Sequence, residues 1–230
     1  QLISFAGGLR ANMVPDSAVA EIEGNSEQLA KVITQLNRWW DNNVTYNHDG
    51  NRITVTAKGK SAHGSTPEEG SNAVCSMAKA LQTLDLSIDT SWLAWLGHSG
   101  DPTGAAIGIS GRDDVAGPLT SNLGIFNFDG TTATATFNIR YPVTWVFEDM
   151  IDRHIQSLQG TGWELIDRYN QAALYVPLDT EPAKTLMRVY REETGDHETK
   201  PFTMGGGTYA RATPNAVAFG AAFPDGLDGP

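Results

Sequence analysis

The chain has 230 residues, 40% of them hydrophobic and 19% charged, the composition of a folded globular protein rather than a disordered one. Its formal net charge is −11, with 16 Lys and Arg against 27 Asp and Glu, which argues against a nucleic-acid binder and against attraction to an anionic membrane surface. No apolar run reaches the roughly 20 residues that span a bilayer, and the single cysteine, Cys75, excludes an intrachain disulfide and fits cytoplasmic residence.

In chain order, Leu2 to Phe5 and Ala18 to Glu23 read as strands separated by GGLRANMVPD. Asn25 or Ser26 caps a helix whose apolar stripe is Leu29, Val32, Ile33 and Leu36, closed by Trp39 and Trp40. VTYNHDGNRITVTAKG reads as a hairpin around Asp49-Gly50, with Ile53 and Val55 alternating against Thr54 and Thr56. Thr66 stands three residues before Glu69 with Pro67 between them, the pattern of a capping box with proline at the first helical position. Ala73, Val74, Met77, Ala78 and Leu81 continue at helical spacing. The first part is therefore ββαββα, a two-layer α+β unit, and His63 lies in the loop between its last strand and last helix.

TSWLAWLG reads as a short helix, and the glycine-rich HSGDPTGAAIGISGRDDVAGP as loop. LTSNLGIFNF and TTATATFNIR flank Asp129-Gly130, a second hairpin signal. A helix follows in TWVFEDMIDRHIQSLQG, with Phe147, Ile151, His154, Ile155 and Leu158 on one side, and then a short strand in WELIDRYNQ. Asp179 or Thr180 starts a last helix with Pro182 near its beginning, running through Leu186, Val189 and Tyr190. The glycine loop TMGGGTYAR and the apolar strand AVAFGAAF come after it, as in α/β domains. Gln1 at the start and the turn-forming PDGLDGP at the end both read as cut ends, so a piece of a longer protein is expected.

Metal chemistry finds little support. His48, His63, His98, His154 and His197 do not pair at ligand spacing, and H-E-x-x-H is missing. A Ser-His-Asp triad has no G-x-S-x-G elbow. No Lys-Ser or Lys-Thr follows the glycines of TMGGGTYAR, so it is not a phosphate loop; its exposed backbone N–H groups suit a carboxylate. Arg140 ends a strand whose apolar face is Ala133, Ala135, Phe137 and Ile139 and whose polar face is Thr132, Thr134, Thr136, Asn138 and Arg140. By spacing alone, Arg140 is an arginine on a wet face, Asn12 a turn residue and His63 a loop histidine.

The order GGLRANMVPDSA, GKSAHGSTPEEGSNA, FNIRYPV, PFTMGGGTYAR, PNAVAFGAAFP resembles the di-zinc metallopeptidase family of aminoacylases, carboxypeptidases and dipeptidases. The histidine motif is shared widely in that family, and the others resemble peptidase V-type dipeptidases, relatives of carnosinase that act on unblocked dipeptides. The resemblance implies an α+β, two-layer lid over 1–177, built of subdomains 1–87 and 88–177, and a partial catalytic segment over 178–230. It implies two zinc ions in the parent metallodipeptidase, held by residues that this chain lacks, so the fragment itself is expected to bind none and to be inactive. It implies that His63 stabilises the oxyanion of the tetrahedral intermediate, that Asn12 binds a polar group of the substrate, and that Arg140 binds its C-terminal carboxylate. Gly205, Gly206 and Gly207 would line the same end of the cleft. A monomeric parent is expected from the large lid. An N-acyl-amino-acid deacylase or desuccinylase of the same family, and a non-enzymatic module binding peptides or amino acids, remain as alternatives.

Overall fold

The computed structural model describes residues 1–230 except Trp40, Met204, Gly207, Thr208, Asn215 and 221–230. The chain divides into two units, Gln1–Arg168 and Tyr169–Pro230.

The first unit begins with the antiparallel strands β1 (Leu2–Gly7) and β2 (Ser17–Glu23), followed by helix α1 (Ser26–Leu36). A full capping box starts α1: the Asn25 carboxamide accepts from Gln28 N at 2.9 Å, and the Gln28 side chain accepts from Asn25 N at 3.0 Å. The hairpin β3 (Val44–Asp49) and β4 (Arg52–Lys58) turns at Gly50, whose φ of 58° lies in the left-handed region. Helices α2 (Ala73–Gln82) and α3 (Ser91–Ser99) follow, then a two-residue ladder, β5 (Arg112–Asp113) with β6 (Gly117–Pro118). The hairpin β7 (Thr120–Phe128) and β8 (Ala133–Arg140) and helix α4 (Phe147–Ser157) complete the unit.

One six-stranded sheet runs β3-β4-β2-β1-β7-β8, antiparallel at every pairing. Period-two alternation buries Ile53, Val55 and Ala57 of β4, while Thr54 and Thr56 stay half-exposed. On β8, Ala133, Ala135 and Phe137 pack on the core while Thr134 and Thr136 are exposed, as the pattern predicts. Leu29, Val32 and Leu36 of α1 and Val74, Met77 and Leu81 of α2 close the core, giving the two-layer α+β arrangement.

Several local expectations give way to tertiary packing. Pro67–Glu69 is a 3₁₀ turn, and Thr66 donates to the Glu69 carboxylate at 3.4 Å instead of capping a backbone N–H. Helix α2 starts only at Ala73, where Asn72 accepts from Val74 N and Cys75 N at 3.0 and 3.3 Å. Extended backbone at Gly70 and the bridge between Lys60 and Ser71 interrupt the helix that the sequence pattern places there. In α4, Ile155 is exposed and Met150 takes the buried position. The strand expected in WELIDRYNQ does not form. Gly160 and Gly162 turn the chain with φ of 75° and 80°, and Trp163 inserts among Trp92, Trp95 and Phe126 rather than joining a ladder. The halves divided at 87 and 88 share one sheet, because β7 pairs directly with β1.

In the second unit, α5 (Glu181–Thr194) has a proline in its first turn and ends at Gly195 in the left-handed conformation. The strand expected in AVAFGAAF is not formed over 216–220, the part of it that lies among the described residues. No helix among the described residues is long and apolar enough to cross a membrane.

Candidate active-site face

The connection from β1 to β2 carries Asn12. It leaves β1 through Gly8, whose φ is 80°, and presses against β7 where the ladder slips between Leu123 and Ile125. The residue at the slip is Gly124, and a Cβ there would stand 2.3 Å from the Ala11 carbonyl oxygen. A glycine is required because no side chain fits in that gap. Asn122, 2% exposed, donates from one amide nitrogen to the carbonyls of Ala11 at 2.7 Å and Met13 at 3.0 Å, gripping the loop on both sides of Asn12.

The loop carrying His63 docks on the same segment. Val14 N donates to Ala62 O at 2.9 Å, Gly64 N donates to Asn12 O at 2.8 Å, and Met13 and His63 face each other in an antiparallel bridge. Thr120 at the start of β7 donates its hydroxyl to Gly64 O at 3.3 Å, and Thr120 pairs across the ladder with Arg140 at the end of β8. A Cβ on Gly64 would lie 3.0 Å from Asn138 Oδ1, the atom that accepts the Nε–H of Arg140 at 3.2 Å. Asn12, His63 and Arg140, far apart in sequence, are thus brought together around one buried glycine.

His63 is exposed. Its Nδ1 lies 2.7 Å from Ser65 Oγ and accepts from Ser65 N at 3.3 Å. Arg140 is half-buried, and that burial pushes its pKa down from the usual arginine value. Its one hydrogen bond among the described residues uses Nε, leaving both terminal amino groups of the guanidinium without a partner there. The arrangement offers an imidazole and a planar cation on one face, the donors for a polarised carbonyl and a carboxylate.

Gly205 and Gly206 lie in the second unit and are exposed; Gly207 is outside the described residues. Among the described residues, no group of three or more His, Cys, Asp or Glu is placed to hold a metal ion. The described residues therefore do not fit a zinc pair. Sequence reasoning missed Ser65, Thr120, Asn122 and Asn138 as supports of the site. An Asn two residues before a Gly inside a strand was the available signal for the grip on Asn12, since glycine in a strand marks a bulge or a close backbone approach.

Comparison with known proteins shows what the chain is similar to. Residues 47–159 match the family model of the M20 peptidase dimerisation domain, a stretch that contains both His63 and Arg140. Over 235 residues the chain is 34% identical to a protein of Staphylococcus epidermidis named "Putative dipeptidase", and over 237 residues it is 33% identical to one so named from Staphylococcus saprophyticus. A protein of the same description from Staphylococcus aureus strain USA300 is 34% identical over 237 residues. Each comparison covers 99% of this chain and 50% of the relative, so the chain spans about half the length of the curated relatives it matches. The stretch 47–159 is thus similar to the dimerisation domain of the M20 peptidases. That description stands against the monomer expected from the size of the lid.

Proposed function

We propose that this chain is the substrate-covering half of a hydrolase that cleaves unblocked dipeptides. The observation that supports it is the meeting of Asn12, His63 and Arg140 around Gly64, on a domain whose relatives bear a dipeptidase name. His63 donates to the oxygen of the scissile carbonyl as it gains charge, and a donor of this kind is worth about 10²–10³ in rate. Arg140 receives the free carboxylate of the substrate on its terminal amino groups, which a planar guanidinium does bidentately. Asn12 offers a short polar side chain from a loop held rigid by Asn122. The two zinc ions of the family belong, on this reading, to residues of the longer protein. Copies associate through the matched domain, as its description says of the family, and cytoplasmic residence is kept for the whole protein.

The deciding assay offers the full-length protein free dipeptides and N-acyl amino acids side by side. Turnover of dipeptides with little turnover of acylated amino acids supports the proposal; the opposite preference replaces it with a deacylase, and binding without turnover replaces it with a binding module.

A further inference from the structure

We propose that Ser65 is a positioning residue that holds the His63 ring with its Nε2–H directed outward. The inference rests on the reading of His63 as a donor to the reacting carbonyl. A backbone N–H can only donate, so the approach of Ser65 N to His63 Nδ1 at 3.3 Å makes Nδ1 an acceptor. A neutral imidazole with an acceptor at Nδ1 carries its proton at Nε2. The Ser65 hydroxyl, 2.7 Å from the same Nδ1, then donates its hydrogen to it. Both groups of Ser65 hold one edge of the ring, and the opposite nitrogen is left as a donor on an exposed side chain. The loop itself cannot drift, because Gly64 is tied to Asn12 and Thr120 and Thr66 N donates back to His63 O at 3.0 Å. An oxyanion donor needs a hydrogen at the outward nitrogen before the substrate arrives, and Ser65 supplies that arrangement.

The test reads the ring nitrogens directly. Imidazole ¹⁵N NMR of the labelled chain, followed on the neutral ring, is expected to show a protonated Nε2 and an unprotonated, hydrogen-bonded Nδ1 for His63. In Ser65→Ala the Nδ1 resonance moves toward that of a free imidazole, and Ser65→Thr restores it. In the full-length protein, Ser65→Ala lowers kcat roughly fivefold, the worth of one neutral hydrogen bond, with KM nearly unchanged, and Ser65→Thr recovers the rate. A protonated Nδ1 in the wild type, or an Nδ1 resonance indifferent to Ser65→Ala, overturns the proposal. A shifted resonance with an unchanged kcat upholds the hold of Ser65 on the ring and removes the oxyanion role from His63 instead.

Discussion

Gly64 packs against the side chain of Asn138: a Cβ on Gly64 would stand 3.0 Å from Asn138 Oδ1 and 3.2 Å from Asn12 O. Asn138 Oδ1 is also the acceptor for Arg140 Nε. A single methyl group would therefore press on the supports of Arg140 and Asn12 at once. Gly64→Ala is expected to cost about 1–3 kcal/mol of stability, the range for an overpacked site, and to lower kcat/KM on dipeptides about tenfold. Thermal denaturation and steady-state kinetics of the full-length protein check both. A variant with wild-type kinetics would show that the contact is cheap to relieve and that the three residues do not act through Gly64.

His63→Ala leaves the fold intact, since the side chain is exposed and its hydrogen bonds among the described residues are confined to Ser65 in its own loop. On the proposed reading kcat falls about 10²–10³-fold while KM changes little, because the donor acts on the transition state more than on the bound substrate. Circular dichroism and kinetics of the full-length variant measure the two separately. Near wild-type kcat would return His63 to the status of a loop residue.

Arg140→Ala is expected to reduce kcat/KM for a free dipeptide about ten- to a hundredfold, the loss of a charge-assisted contact of roughly 1.5–3 kcal/mol. A C-terminally amidated dipeptide already lacks the carboxylate, so its turnover drops much less. The measurement is the two-by-two comparison of wild type and variant on the two substrates. Equal losses on both would assign Arg140 to the support of the loop rather than to the carboxylate.

Asn122→Ala removes two hydrogen bonds from the buried side of the Asn12 loop and leaves the Ala11 and Met13 carbonyls to find other donors. A stability loss of about 1–3 kcal/mol follows from two buried acceptors losing their partner. Amide exchange near residues 11–13 quickens more than exchange in the α2 core, which is the signature that separates a local grip from a global effect. Uniform acceleration would mean that Asn122 supports the whole sheet.

The 230-residue chain on its own is expected to retain no stoichiometric zinc after dialysis and to hydrolyse no dipeptide, because no ligand group assembles among its described residues. Elemental analysis and a dipeptide assay of this chain test it. Bound zinc with turnover would place a complete catalytic centre within it.

Much of the fold is legible along the chain because its elements are set by local patterns. The alternation in β4 and β8, the stripe of α1 with its Asn25 cap, the Asp49-Gly50 turn and the proline-started α5 all appear where the sequence puts them. Each depends on residues within a few positions of one another, and backbone sterics and side-chain periodicity act over that range. Patterns needing a distant partner were misread. The Thr66–Glu69 box yields to Asn72 because the bridge from Lys60 to Ser71 bends the chain between them, and WELIDRYNQ yields to the burial of Trp163 among aromatic rings from other elements. For the site, the sequence carried the residue types: a histidine on a short loop, an arginine ending a strand, an asparagine in a turn. Their union was decided by the tertiary structure alone. It depends on β7 pairing with β1, on Gly124 letting the loop close against the strand, and on Asn122 reaching back more than a hundred residues to Ala11 and Met13. Contacts over that separation come from packing the whole sheet, and no local propensity encodes them.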